Sequence, residues 1–312
     1  MLALLFPGQG SFEVGMGRDA YDRSAAAREI FDVADHALGF SLTERIFEGP
    51  EEELRKTEIQ QPAILATSIA LLRALEETGP VQASFFAGHS LGEYSALVAA
   101  DAMRFEDAVR LVHARGSFMQ EAVPEGRGAM AAILGLSAAE VADACTAGVE
   151  GSEVVTPANY NSPQQTVVAG DAAAVDRVCG LAMDRGAKRA VPLAVSAPFH
   201  CQLMQPAAEK LEPELGRIRF QRPSAPVVTN VEAVENNDPE RTPGLLKSQV
   251  TAPVRFVESV EYLVSQGVSH FLEVGPGGVL SGLVARIQRR SKRANFASMD
   301  GLDESREFLI NA

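Results

Sequence analysis

The chain has 312 residues, a formal net charge of −13 at pH 7, 46% hydrophobic and 22% charged residues, and three cysteines. The length fits one large domain or two modest ones, and the apolar fraction excludes a disordered chain. The acid excess excludes nucleic acid as the main partner; Cys145, Cys179 and Cys201, odd in number and without CxxC spacing, exclude a disulfide framework and a cysteine zinc site and point to a reducing, cytoplasmic compartment.

Residues 2–6 are a continuous apolar run that stops at Pro7-Gly8, the pattern of a buried strand. The run has no basic flank, so it is read as a strand and not as a signal peptide. The longest apolar run, residues 62–72, falls short of the ~20 residues a membrane span needs, and a soluble protein is expected. Residues 51–56 read as a polar, charged helix start. Residues 61–77 form a helix that is apolar over most of its surface and therefore well buried. A second short strand, residues 84–87, runs straight into Gly88-His89-Ser90-Leu91-Gly92 and an alanine-rich helix to residue 100. Strand, sharp turn, helix is the α/β pattern. In the next helix, residues 105–120, Phe105, Ala108, Val109, Val112, Gly116 and Met119 follow helical spacing, and Arg115 falls on or beside that buried stripe.

From Gly126 the texture changes. Residues 129–134 read as a strand and residues 137–147 as a helix, with Ser137 and Glu140 spaced as a capping box. Residues 153–159 and 164–169 are strands around an Asn-Ser-Pro turn. Residues 171–185 are a helix capped by Asp171, and residues 188–195 a strand. The order βαββαβ is the ferredoxin-like unit. It predicts a small subdomain, residues 126–195, inserted into a larger α/β subdomain made of residues 1–125 and 196–312. That larger unit resumes with a helix over 204–215, a strand over 226–229, a helix over 254–265 and a strand over 270–274. The turn Gly275-Pro276-Gly277-Gly278 then opens a helix to residue 290. The polar last dozen residues are expected to be loosely held.

Gly88-His89-Ser90-Leu91-Gly92 fits G-x-S-x-G, a pattern weak alone and strong in its strand-and-helix context. It describes a strained turn that exposes the Ser90 hydroxyl and points the Leu91 N–H at an oxyanion. The competing reading is an ordinary helix-capping serine. A serine needs a base. His36 lies in a polar helix, His113 on the outer side of the Arg115 helix, His270 opens a strand, and His89 points away from its neighbour. His200, after a Pro-Phe turn at the subdomain boundary, is the candidate base. Gln9, flanked by glycines after the first strand, offers a second backbone donor to an oxyanion. Arg115 needs an anion, either a substrate carboxylate or, on spacing alone the stronger reading, a structural salt bridge.

These segments resemble one family, malonyl-CoA:acyl carrier protein transacylase, the acyltransferase of fatty acid and polyketide synthesis. The matching residues are Phe6-Pro7-Gly8-Gln9-Gly10-Ser11, Gly88 through Leu97, Arg115-Gly116 with Met119-Gln120, Asn159 through Pro163, Ala197-Pro198-Phe199-His200, Gln249 with Pro253-Val254, and Glu273 through Gly277. The resemblance implies an α/β-hydrolase-like large subdomain with a parallel sheet and a ferredoxin-like small one. It implies a ping-pong reaction in which Ser90, activated by His200, takes the malonyl group from malonyl-CoA and passes it to the phosphopantetheine thiol of acyl carrier protein. Arg115 then binds the malonyl carboxylate, the N–H groups of Gln9 and Leu91 form the oxyanion hole, and the backbone carbonyl of Gln249 orients His200 in place of a triad acid. Phe199 and Leu91 match the malonyl-selective members, while Thr251 and Ala252 depart from the usual residues beside Gln249. No metal or cofactor is implied, and a monomer without membrane partners is expected.

Two other classes fit the motifs less well. A serine hydrolase on the same fold would be expected to lack Arg115, and a non-enzymatic carrier-binding module would not need Ser90, His200 and Arg115 together. The partner implied is itself acidic, so docking calls for local basic patches. Arg286, Arg289, Arg290, Lys292 and Arg293 form one cluster without acids, and Arg185, Lys188 and Arg189 a smaller one. Both are also readable as plain solvated surface.

Overall fold

The computed structural model describes residues 1–124 and 126–312; Glu125, the last residue of the predicted first segment of the large subdomain, lies outside the described residues. The described residues form ten strands: β1 (Leu2–Phe6), β2 (Phe85–Gly88), β3 (Gly128–Leu134), β4 (Val155–Ser162), β5 (Gln165–Asp171), β6 (Arg189–Pro192), β7 (Val227–Val228), β8 (Glu235–Asn236), β9 (His270–Val274) and β10 (Lys292–Phe296).

Every residue of β1 is buried. Successive side chains of a strand point to opposite faces. Leu2, Leu4 and Phe6 accordingly enter one core, with the helices Ala25–Leu38, Thr57–Glu77 and Phe105–Glu121, while Ala3 and Leu5 enter another, with Phe256–Ser265 and Val279–Ile287. A strand apolar on both faces belongs inside a parallel sheet covered on both sides. The sheet has the order β10-β9-β1-β2-β7-β8, parallel from β10 through β7, with β8 antiparallel at the edge. The chain is thus an α/β fold. The carboxyl ends of β1 and β2, where such sheets bind ligands, carry the Gln9 and Ser90 turns.

A second sheet, order β4-β5-β3-β6, is antiparallel throughout and packs against the helices Ala138–Gly148 and Ala172–Asp184. Backbone bonds stitch it to the larger unit: the Val254 N–H donates to Ala158 and the Tyr160 N–H to Val254, each at 2.9 Å.

The helix Thr57–Glu77 is buried along most of its length, as its apolar surface predicts, and tolerates Pro62 inside it. Proline lacks an N–H, which frees the carbonyl four residues earlier. That carbonyl, on Glu58, accepts from His113 Nδ1 at 2.7 Å, so His113 is spent on structure. Among the described residues no helix is long and apolar enough to cross a membrane.

Several boundaries differ from expectation. Val254 is extended because it pairs with β4, so the helix predicted from 254 starts at Phe256. The helix predicted to 290 ends at Ile287, and the charged stretch after it includes edge strand β10, anchored by buried Phe296. The C-terminal residues are not loose: Leu302–Ile310 is a helix whose Phe308 and Leu309 pack on the core, and Arg306 donates to the carbonyls of Gly79 and Pro80. Ser137 and Glu140 form the expected capping box. Asp171 makes no side-chain cap; its carboxylate accepts the Val154 N–H at 2.8 Å and pairs with Arg127 at 3.4 Å. The last strand of the small sheet is only Arg189–Pro192.

Candidate active site

Ser90 follows β2 with φ 52° and ψ −107°, a region that costs a non-glycine residue of order 1–3 kcal/mol. The surrounding glycines make the turn possible. A Cβ on Gly92 would run into the Phe6 carbonyl oxygen, and one on Gly88 into the Gly92 backbone. Asn230, just past β7, holds the strained turn from both sides: its Oδ1 accepts the Ser90 N–H at 2.6 Å and its Nδ2 donates to the Gly88 carbonyl at 2.7 Å. The Ser90 side chain makes no helix cap. Its Oγ instead lies 2.7 Å from His200 Nε2.

His200 also has positive φ, 59°. Its Nδ1–H donates to the Gln249 carbonyl at 2.9 Å, which leaves Nε2 to accept from Ser90. The source of that carbonyl is the end of the helix Thr242–Gln249. The last carbonyls of a helix have no partner within it and carry its negative dipole end. A neutral peptide oxygen thus fixes the imidazole where a triad would use a carboxylate. Burial and the nearby Arg115 guanidinium push His200 down from 6.5 to about 3, so the ring is neutral at physiological pH.

Arg115 is 1% exposed. It donates to Gln61 Oε1 at 2.7 Å, Ser90 Oγ at 3.1 Å and Gln249 Oε1 at 3.0 Å, and its Cζ lies 5.3 Å from the Tyr94 ring centre. Its Nε has no partner, and among the described residues it forms no salt bridge. The structural ion pair favoured on spacing is therefore not what holds it. A buried guanidinium with only neutral acceptors is a ready carboxylate site.

A cleft of about 710 Å³ opens over these groups, lined by Gln9, His89, Ser90, Met119, Phe199 and His200 among others. Among the described residues neither the Gln9 nor the Leu91 backbone N–H has an acceptor. Neighbouring bonds fix the Gln9 turn: Gln9 Nε2 donates to Thr57 Oγ1 at 3.2 Å and the Gly10 N–H to Gln60 Oε1 at 2.8 Å. Phe199 walls the cleft beside His200. His89 turns away from Ser90, as expected, and its Nε2 lies 2.8 Å from Asn161 Oδ1 on β4. His36 is exposed and His270 lies in β9, both outside the cleft.

The sequence motifs point to Ser90, Leu91, Gln9, Arg115 and His200, and the resemblance adds Phe199 and Gln249; the structure places all seven in or beside the cleft. Sequence reasoning missed Asn230, Gln61 and Glu93. Glu93 carried a signal, as the one acid in an otherwise apolar, alanine-rich helix; Asn230 and Gln61 carried none beyond their own polarity.

The profile of the family described as acyl transferase domain matches residues 3–300. The Escherichia coli (strain K12) malonyl CoA-acyl carrier protein transacylase is 51% identical over 285 residues, 91% of this chain and 92% of that protein. The solved malonyl CoA-acyl carrier protein transacylase of Coxiella burnetii superposes with a TM-score of 0.96 at 42% identity, covering 99% of this chain and 97% of that one. A type II PKS acyl-carrier protein in complex with its malonyl-transacylase matches with a TM-score of 0.96 at 45% identity, over 100% and 99% of the two chains. With the profile spanning nearly all of its length and 51% identity to a curated relative over 91% of it, this chain belongs to the acyl transferase domain family.

Proposed function

We propose that this chain is a malonyl-CoA:acyl carrier protein transacylase. It moves a malonyl group from malonyl-CoA to the phosphopantetheine thiol of an acyl carrier protein of fatty acid or polyketide synthesis. The observation that carries the reading is the buried Arg115 guanidinium 3.1 Å from Ser90 Oγ, without a carboxylate of its own. A malonyl group esterified to Ser90 has its carboxylate one methylene beyond the acyl carbon. That short reach brings it to Arg115 and supplies the missing anion.

In the first half-reaction His200 Nε2 takes the Ser90 proton as Oγ attacks the thioester carbonyl. The N–H groups of Gln9 and Leu91 receive the oxyanion; one such donor is typically worth ~10²–10³ in rate. The carbon–sulfur bond breaks, His200 returns the proton to the departing CoA sulfur, and a malonyl-serine ester remains. The second half-reaction runs the same steps with the carrier thiol as nucleophile. The Gln249 carbonyl keeps the productive tautomer, though it stabilises imidazolium less than a carboxylate would. Phe199 narrows the acyl site against branched malonyl groups, within the ~1–3 kcal/mol that one methylene commands.

The chemistry draws on these groups alone and needs no cofactor. We read residues 126–195 as a ferredoxin-like subdomain, a reading supported by the antiparallel order β4-β5-β3-β6, and residues 1–125 with 196–312 as an α/β-hydrolase-like subdomain, supported by the parallel sheet and the strained serine turn. We place the protein in the cytoplasm as a monomer. Incubation with labelled malonyl-CoA and then holo acyl carrier protein tests the function. Label on the carrier is the expected result. Free malonate without transfer would mark a hydrolase, and no protein-bound label a binding module.

A further inference from the structure

Beneath the cleft lies a buried acid that the transfer chemistry does not use. Glu93 is 2% exposed, on the helix that Ser90 opens. Its Oε2 accepts two bonds, from the Asn230 backbone N–H at 3.0 Å and from Gln249 Nε2 at 2.7 Å. Both donors belong to residues that shape the site. Asn230 holds the Ser90 turn. Gln249 supplies the carbonyl to His200 and, through Oε1, an acceptor to Arg115.

A side-chain amide has one accepting end and one donating end. The Gln249 Nε2 is committed to Glu93 and to the Ser90 carbonyl at 3.0 Å, which leaves Oε1 facing Arg115 Nη2. Turned over, the amide would present N–H groups to a guanidinium that can only donate, and its oxygen to the Ser90 carbonyl, which can only accept, and to Glu93 Oε2, which already accepts the Asn230 N–H. We propose that Glu93 is a positioning residue for the acyl site: its accepting oxygen sets the orientation of the Gln249 amide, and through it the placement of Arg115 for a substrate carboxylate. Two further observations agree. Among the described residues Glu93 forms no direct salt bridge; the Gln249 amide stands between it and Arg115. Burial raises its carboxyl from 4.5 to about 7, and the bonds from Asn230 and Gln249 and the Arg115 charge pull the other way, so the same groups that it positions also favour its charged form.

This inference rests on the transacylase reading, and wild-type protein in the same assay keeps the two apart: failure of wild type to accept malonyl speaks against that reading, not against Glu93. The experiment compares KM for malonyl-CoA, and the ratio of malonyl to acetyl loading, in Glu93→Leu, Glu93→Gln and Gln249→Met. Losing a buried hydrogen bond tied to a charged group predicts about a tenfold higher KM and a similar fall in the ratio for Glu93→Leu. Glu93→Gln, which keeps an accepting oxygen, should restore most of the loss. Gln249→Met removes the amide but leaves the backbone carbonyl to His200, so it should reproduce the loss, and combined with Glu93→Leu it should add little. If Glu93→Leu does not fold, the other two variants still decide. An unchanged ratio in Gln249→Met, or a ratio in Glu93→Gln as poor as without the amide, overturns the proposal.

Discussion

Arg115 Nη2 donates to Ser90 Oγ across 3.1 Å, so the hydroxyl that His200 holds from one side is held by a cation from the other. The same guanidinium depresses His200, after burial the largest influence on it. A substrate carboxylate arriving at Arg115 would offset that charge and strengthen the base when the right acyl group is bound.

Arg115→Ala should therefore change selectivity before it changes competence. Loss of a buried, bidentate carboxylate partner predicts a fall in malonyl kcat/KM on the order of 10²-fold or more, with acetyl transfer gaining relative to it. The acid limb of acetyl loading should also move to higher pH, because the variant lacks the cation that lowers His200. Malonyl preference that survives the substitution would remove Arg115 from the proposed site.

The Ser90 turn depends on Asn230. In Asn230→Ala the Ser90 N–H loses its acceptor and the Gly88 carbonyl its donor, at a cost of about 1–3 kcal/mol for each buried group left unpaired. Denaturant unfolding should show that loss, and pre-steady-state loading should slow with it. Full loading speed in a destabilised variant would mean that the turn holds without Asn230.

The neutral, buried His200 gives stability a pH dependence. Its folded pKa is lowered to about 3, against 6.5 when unconstrained. Between those values the unfolded chain binds a proton that the folded one refuses, so stability rises with pH across that window and falls as pH drops through it. Thermal unfolding at pH 4 and pH 6.5 should show a smaller loss on acidification in His200→Asn than in wild type. Equal losses would contradict the pH dependence assigned to this ring.

Much of this was legible beforehand. The strands β1, β2 and β9 announce themselves as short apolar runs ending in glycine, and G-x-S-x-G between a strand and a helix declares Ser90. What escaped was set by long-range pairing. Strand β10 follows the end of the expected helix in a charged stretch that gives no strand signal of its own, and it is defined by its pairing with β9 and the burial of Phe296. Val254 sits in a helical pattern but is claimed by β4. On spacing alone Arg115 reads as a salt bridge; the resemblance makes it a carboxylate partner instead, and the neutral acceptors Gln61, Gln249 and Ser90 around it support that second reading.

The basic residues near the C-terminus keep their interest for docking. Arg289 and Arg290 are exposed, and among the described residues none of Arg286, Arg289, Arg290, Lys292 and Arg293 is in a salt bridge. Arg286 reaches β5 through Gln165 at 2.9 Å. If an acidic carrier protein docks here, Arg289→Glu with Arg290→Glu should raise the KM for carrier several-fold, more at low salt, and leave malonyl loading alone. A carrier KM that does not move would reassign the cluster to solvated surface.

The most direct measurement is peptide mapping by mass spectrometry after malonyl-CoA is added without carrier protein, followed by a chase with holo carrier. A malonyl ester on Ser90 that disappears as malonyl-carrier appears, and that is missing from Ser90→Ala, is the predicted result. An acyl group on any other residue, or carrier malonylated at the wild-type rate by Ser90→Ala, would contradict a reaction that runs through Ser90.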